Sequence, residues 1–200
     1  VTTITGSAAS ANTAYAAVIL SDTTLAAATL NALNDNTTGA IDASTVTTLT
    51  GAADDANTTF AAGKDGHITN LGNEAVTLND TSLATATLNT LNDNTTGAVD
   101  ATTLMTITGS AAHVNTAYTA GIASEIIGLG NEAVTLDDTT LAVTTLNTLD
   151  SNTTGTIDAT TVTKLTGSAS DVNSAYASGG VINLDGDEAV ALSDTTLSAA

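Results

Sequence analysis

Apolar residues along this chain come in short bursts of changing period, each closed by turn formers, and the clearest series runs from Asp80 to Asp137. Asp80, Thr81 and Ser82 offer capping oxygens ahead of Leu83, Thr87, Leu88 and Leu91, whose near-helical spacing predicts a short helix. The run Asn92-Asp93-Asn94-Thr95-Thr96-Gly97 breaks it. Val99 restarts the apolar pattern, and Asp100 is placed to cap a second short helix through Leu104 and Ile107 that stops at Gly109. A third helix opens at Ser110, carries Ala111, Val114 and Tyr118 on one face and stops at Gly121; the equivalent Ser168 and Asp171 have capping-box spacing. The stretch from Leu129 to Leu136 then predicts a turn followed by a short strand.

This series repeats. Asp22, Asp80, Asp138 and Asp194 step by 58, 58 and 56 residues, and Gly39, Gly97 and Gly155 by 58 and 58. The aromatic residues Tyr15, Phe60, Tyr118 and Tyr176 share one column, where each is expected to fill the core of its module. Residues 1–21 read as a partial repeat, 22–79, 80–137 and 138–193 as three repeats, and 194–200 as the start of another, as if cut from a longer polymer. One copy differs: 7 residues separate Tyr15 from Asp22, where the later pairs are 20, 20 and 18 apart. The stretch it lacks carries Gly-Asn-Glu elsewhere, so Glu74, Glu132 and Glu188 are expected in a peripheral excursion, available as ligands or interface residues. With about fifteen sizeable apolar side chains, one module is marginal alone and needs its neighbours. The expected fold class is an α+β tandem-repeat array, in which each module of 58 residues joins EF-hand-like helix-loop-helix to a short strand. A parallel β-solenoid is the alternative, because Thr, Val and Ile favour strands while Gly and Asn favour corners.

The broken helix-to-helix segment has a spacing with chemistry in it. Asp150, Asn152, Thr154 and Asp158 take places 1, 3, 5 and 9 of a twelve-residue EF-hand frame, with Gly155 at place 6 and Ile157 at place 8. Asn34, Asn36, Thr38 and Asp42 repeat the frame, as do Asn92, Asn94, Thr96 and Asp100. These are the candidate metal ligands, with Ca2+ as the candidate cofactor. The last place, normally a bidentate Glu, is Thr45, Thr103 or Thr161, so any calcium affinity is expected on the order of millimolar. The same residues admit a structural reading, with Gly supplying the positive φ of a tight turn and Asn and Asp capping its ends. They also admit a glycan: Asn36, Asn94 and Asn152 stand in acceptor triplets, as do Asn57 and Asn79.

Charge narrows the partners. Two basic residues face 21 acidic ones, Arg is absent and the net charge is −19, which argues against nucleic acid and anionic membrane surfaces and favours divalent cations. No apolar run has the length of a membrane span, so membrane insertion is not expected. The absence of Cys removes disulfides and thiol chemistry. His67 and His113 fall in unrelated columns, no Ser or Thr is paired with a positioned base, and no Gly-rich phosphate cradle is present, so no enzymatic activity is expected.

The strings Thr145-Leu-Asn-Thr-Leu-Asp150, Leu165-Thr-Gly-Ser-Ala169 and Leu129-Gly-Asn-Glu-Ala-Val-Thr-Leu136 resemble the tandem repeats of very large cyanobacterial secreted and cell-surface proteins. Such proteins are often labelled haemolysin-type calcium-binding; the resemblance implies an extracellular or cell-surface location and self-association into a fibre or layer. The Gly-Gly-x-Gly-x-Asp nonapeptide behind that label is absent here. The Ala-rich strings also resemble stalk repeats of marine phage fibres. The function expected is thus a structural segment of an extracellular fibre, sheath or surface layer, with a calcium-stiffened adhesin or phage-fibre stalk as the alternative.

Overall fold

The computed structural model describes residues 3–6, 17–178 and 181–196. Tyr15, the first ring of the aromatic column, lies outside them.

Short strands and short helices alternate. The first stretch holds β1 (Thr3–Gly6), β2 (Ala17–Leu20), β3 (Thr24–Ala26), α1 (Ala27–Asn36), β4 (Ile41–Asp42), β5 (Thr48–Gly51), α2 (Ala53–Lys64), β6 (Ile68–Thr69) and β7 (Ala75–Leu78). The same order then recurs as β8 (Ser82–Ala84), α3 (Thr85–Asn94), β9 (Val99–Asp100), β10 (Thr106–Gly109), α4 (Ala111–Ile122), β11 (Ile126–Ile127) and β12 (Ala133–Leu136). It recurs again as β13 (Thr140–Ala142), α5 (Val143–Asn152), β14 (Ile157–Asp158), β15 (Lys164–Gly167), α6 (Ala169–Tyr176), β16 (Ile182–Asn183) and β17 (Ala189–Leu192).

Helix plus strand in each repeat is as expected, but among the described residues every strand pairing is parallel and no sheet closes into a barrel, which makes the class α/β. The helix expected at Ser110 and the strand expected before Leu136 are α4 and β12. The helix expected at Leu83 starts later, because Ser82–Ala84 first pairs as β8. The second short helix, from Asp100 through Ile107, is not a helix: its second half is β10. Thr106-Ile107-Thr108 alternates with period two and is β-branched, and β8 and β12 offer ladders on both sides, so strand pairing outweighs the i, i+3 spacing of Leu104 and Ile107. The EF-hand-like frame is therefore entered from a helix and left through a strand.

Two compact units share the chain. One is built from Val1–Asp80, Thr87–Thr103 and Ile122–Gly128, the other from Thr81–Ala86, Leu104–Gly121 and Leu129–Ala200. The first unit contains the sheets β1-β2-β4-β6 and β3-β5-β7-β9-β11; the second contains β8-β10-β12-β14-β16 and β13-β15-β17. Apart from β1 and β2, strand neighbours lie two apart in the sequence, and each such crossover carries a helix and a short strand of another sheet.

Parallel register stacks like residues on like. In the first unit Leu25, Leu49, Val76, Val99 and Ile126 form one inward column, and in the second Leu83, Ile107, Val134, Ile157 and Ile182 do the same. All ten are buried, as befits parallel strands covered by their crossovers. α1 packs on α2 and α5 on α6, burying Leu30, Leu33 and Phe60 in one unit and Leu146, Leu149 and Val172 in the other.

Candidate functional site

The repeated Asn/Asp-x-Asn-Thr-Thr-Gly loop sits where a helix hands over to a two-residue strand, and its polar atoms point to several different neighbours. Asn34 and Asn36 end α1, and the Asn36 amide donates to the Ala32 carbonyl at 2.7 Å. Asp42 lies on β4, where its Oδ1 accepts from the Asn70 amide at 2.8 Å and the Ser44 N–H at 3.0 Å; these bonds, Asn70 first, hold its carboxyl below the ordinary range. In the second copy Asn92 donates to Glu125 at 3.2 Å, Thr96 lies against the Gly72 carbonyl, and Asp100 accepts from the Thr102 N–H at 3.1 Å. Asn94 donates to Asn57 at 2.8 Å and accepts from the Lys64 ammonium at 2.5 Å. In the third, Asn152 donates to Asn115 at 3.0 Å, Thr154 to the Gly130 carbonyl at 3.2 Å, and Asp158 accepts from Thr160. Asp150 stands on the last turn of α5, and Thr38 lies in the first loop.

The candidate ligands of one loop are therefore spread over helix, turn and strand. Among the described residues no group of three or more His, Cys, Asp or Glu side chains is placed to hold a metal. Place 12 has a different job from metal binding: the Thr45, Thr103 and Thr161 hydroxyls lie within hydrogen-bond reach of carbonyls at Leu20 and Asp22, Leu78 and Asp80, and Leu136 and Asp138. Each Thr ties its turn to the preceding coil.

The Gly of the frame does not have the positive φ expected for Gly97 or Gly155. It is there for closeness. A Cβ on Gly97 would collide with the Glu74 carbonyl and stand 2.6 Å from the Ala75 nitrogen, and one on Gly155 would collide with the Glu132 carbonyl. The Thr95 hydroxyl donates to that same Glu74 carbonyl at 2.6 Å, and the Thr96 N–H to the Gly72 carbonyl at 2.9 Å. The second and third loops thus clasp the Gly-Asn-Glu turn of the repeat before each.

Those turns bury their acids. Glu74, Glu132 and Glu188 are 0%, 1% and 8% exposed. Glu74 Oε2 accepts from the Gly72 and Asn73 N–H groups at 2.8 and 3.1 Å, and Glu132 Oε2 from those of Gly130 and Asn131 at 2.9 and 3.2 Å. The aromatic column completes the arrangement: the Tyr118 hydroxyl donates to Glu132 at 3.3 Å and the Tyr176 hydroxyl to Glu188 at 2.6 Å, while Phe60 has no hydroxyl to offer Glu74. The remaining oxygen, Oε1, of Glu74 and of Glu132 has no hydrogen-bond partner in the protein. Burial, with the neighbouring Glu132, pushes the Tyr118 phenol far up, and burial with the Glu188 contact pushes Tyr176 up to about 12. Burial opposes ionisation of Glu188, but the Tyr176 hydroxyl and backbone N–H groups outweigh it and hold the carboxyl below its ordinary value.

Phe60 and Tyr118 are core rings, 2% and 3% exposed, as the column predicts. Tyr176 differs at 46%. The Tyr118 hydroxyl also has Thr153 beside it from the next loop.

Two sets of residues escaped the sequence reading. Asp80, Asp138 and Asp194, expected to cap the helix that follows each, instead accept from the first N–H of the helix one coil earlier: Ala53 at 2.9 Å, Ala111 at 2.7 Å and Ala169 at 2.7 Å. Ser168 with Asp171 does form the expected local cap. The second set is a series of Asn bridges between helices, in which Asn31 donates to the Asp55 carbonyl, Asn57 to Thr87, Asn115 to Thr145 and Asn147 to Asp171. Their only signal in the sequence was strict column recurrence. A glycan at Asn57, Asn94 or Asn152 would have to break such a bridge.

Comparison with protein-family models, curated proteins and solved structures finds no match. Chemically, the geometry offers a set of carboxylates and amides engaged in holding one coil to the next.

Proposed function

We propose that the chain is a non-enzymatic structural segment of an extracellular fibre, sheath or surface layer, in which incomplete modules support one another. The observation that carries this reading is the sharing of sheets. In β3-β5-β7-β9-β11 the first three strands come from residues 22–79 and the last two from 80–137; β8-β10-β12-β14-β16 crosses the next repeat boundary in the same way. A module whose sheet is finished by its successor has no independent fold to build a private site on, and gains stability by stacking. In the finer architectural reading each unit is a short stretch of parallel α/β solenoid.

The charge of −19 fits the same role, since mutual repulsion keeps a polymer with so much Ala and Thr on its surface from clumping. Melting of the purified chain with added calcium and with chelator tests the reading, together with electron microscopy in calcium-free buffer. Ordered filaments or sheets and a melting temperature indifferent to chelator are expected. A marked fall with chelator would favour the calcium-stiffened stalk instead, and scattered particles without order at any concentration would overturn the fibre.

A further inference from the structure

Five stretches of the chain have the Asn-x-Thr form that N-linked sugars require, and the fold treats them unequally. Three are closed. In Asn57-Thr58-Thr59 the Asn57 amide donates to the Thr87 carbonyl at 3.1 Å, and Thr59 is fully buried with its hydroxyl donating to Asn31 at 2.7 Å. In Asn94-Thr95-Thr96 and Asn152-Thr153-Thr154 the amide nitrogens donate to Asn57 and Asn115, the middle Thr is buried, and the last Thr donates to the Gly72 or the Gly130 carbonyl. A sugar on any of these nitrogens would have to enter where side chains of neighbouring helices meet. Asn36 is exposed, but its amide turns back on the Ala32 carbonyl of its own helix at 2.7 Å, and Thr38, the third residue of its triplet, is itself engaged.

Asn79-Asp80-Thr81 differs from all four. It connects β7 to β8, Asn79 and Thr81 are both exposed, and neither side chain has a hydrogen-bond partner among the described residues. Its backbone is nonetheless fixed. The Asn79 N–H donates to the Gly51 carbonyl at 3.1 Å, the Thr81 carbonyl accepts from the Met105 and Thr106 N–H groups at 2.9 and 3.2 Å, and the Asp80 carboxylate between them accepts from the first N–H of α2. The middle residue holds the turn, while the outer two, which the chemistry needs, are open to solvent. A bulky group on Asn79 therefore displaces no bond of the fold. Nor does the fold call for an amide at this place: the same column holds Ser21, Asp137 and Ser193.

We propose that Asn79 is the acceptor of an N-linked glycan, and that the folded chain keeps a sugar there alone among the five triplets. The donor is a sugar activated at its anomeric carbon as a diphosphate ester. Asn79 Nδ2 attacks that carbon, the bond from carbon to diphosphate oxygen breaks, a carbon–nitrogen bond forms, Nδ2 gives up one proton and the diphosphate departs. The exposed Thr81 hydroxyl completes the triplet that the transferase reads. The order of events does not alter the result. A sugar attached before folding at Asn57, Asn94 or Asn152 stands in the way of a bridge between helices, whereas one on Asn79 leaves every ladder and bridge intact. The inference rests on the extracellular reading, since such sugars are added to exported chains, and it sets a bulky, hydrated group on one turn of the array.

The test secretes the chain from a cell that attaches N-linked sugars and maps the purified product by mass spectrometry, before and after an amidase that releases such sugars and leaves Asp where Asn stood. Sugar is expected on Asn79, with Asn36, Asn57, Asn94 and Asn152 bare. N79Q and T81A, both at exposed positions, should each abolish the sugar while keeping the native circular dichroism and melt. A secreted chain bare at Asn79, sugar persisting in T81A, or sugar on any of the other four in a chain that melts like the bare one would each overturn the assignment. The structural reading is judged apart, by the filament and chelator measurements on chain without sugar, and stands or falls on those whether or not Asn79 is occupied.

Discussion

At Gly97 and Gly155 a single hydrogen atom is all the space the fold leaves between one loop and the Glu turn of the repeat before it. Gly155→Ala is therefore expected to push the clasp open and cost about 1–3 kcal/mol, the range for overpacking a well-filled site, read as a lowered denaturant midpoint. Gly66, which has a positive φ and open space around it, tests the contrast: Gly66→Ala suffers only backbone strain and should cost less. The buried acid of the last Gly-Asp-Glu turn and its tyrosine set a pH signature. Glu188 is held below its ordinary value in the fold, so its contribution is complete above the unfolded glutamate range and is lost as pH falls through the lowered value. Tyr176 is raised to about 12 from 10.0, so its contribution is complete below pH 10.0 and drains away as pH rises through about 12. Tyr176→Phe should thus flatten the alkaline limb of a melting-temperature profile and remove the phenol that titrates near 12 by ultraviolet absorbance. At this scale the sequence was legible as columns, not as roles. Gly, Asp and the aromatic ring were all found by recurrence, but the neighbours that explain Gly97 and Asp138 lie 23 and 27 residues away, one coil off, where local spacing carries no information.

Helices here are short, and α1 and α5 begin without any side-chain cap. The capping that exists is shared across coils. Asp138 gives its carboxylate to the first N–H of α4, where the helix dipole also favours negative charge. Asp138→Ala should remove about 1 kcal/mol, and Asp138→Asn, which keeps an acceptor oxygen, noticeably less; thermal melts of the two variants decide it. This also explains why sequence periodicity misplaced the start of α3 and invented a helix at Asp100. Asp80 looked like an N-cap because it is one, for α2 rather than for the helix after it. Leu104 and Ile107 looked like one helical face because both are buried, although one precedes a strand and the other lies within it. The strand pattern Thr106-Ile107-Thr108 was present all along; three or four alternating residues are too few to outvote an i, i+3 pair unless the flanking ladders are known. α4 and β12, whose signals are longer or bounded by Gly, were predictable.

Across a whole unit, repeat boundaries and folding boundaries fall out of step. Sheet β3-β5-β7-β9-β11 begins at Thr24 and is finished only at Ile127, so a cut between residues 79 and 80 leaves β7 without β9 and uncovers Val76 and Leu78. Losing the burial of two such side chains, about 1.5–3 kcal/mol each, removes much of the stability a small domain has. The internal period suggests 22–79 as the natural unit, whereas the pairing requires the chain to run on to Ile127 to retain this sheet. A fragment of residues 22–127 is accordingly expected to show a cooperative melt and slow amide exchange at Leu49, Val76 and Val99, the column at its centre. The single repeat 22–79 should lack both and be cut rapidly by protease. Equal protection of Val76 in the two fragments would mean that β7 needs no successor, and the interlocking of neighbouring repeats would no longer account for the stability of the array.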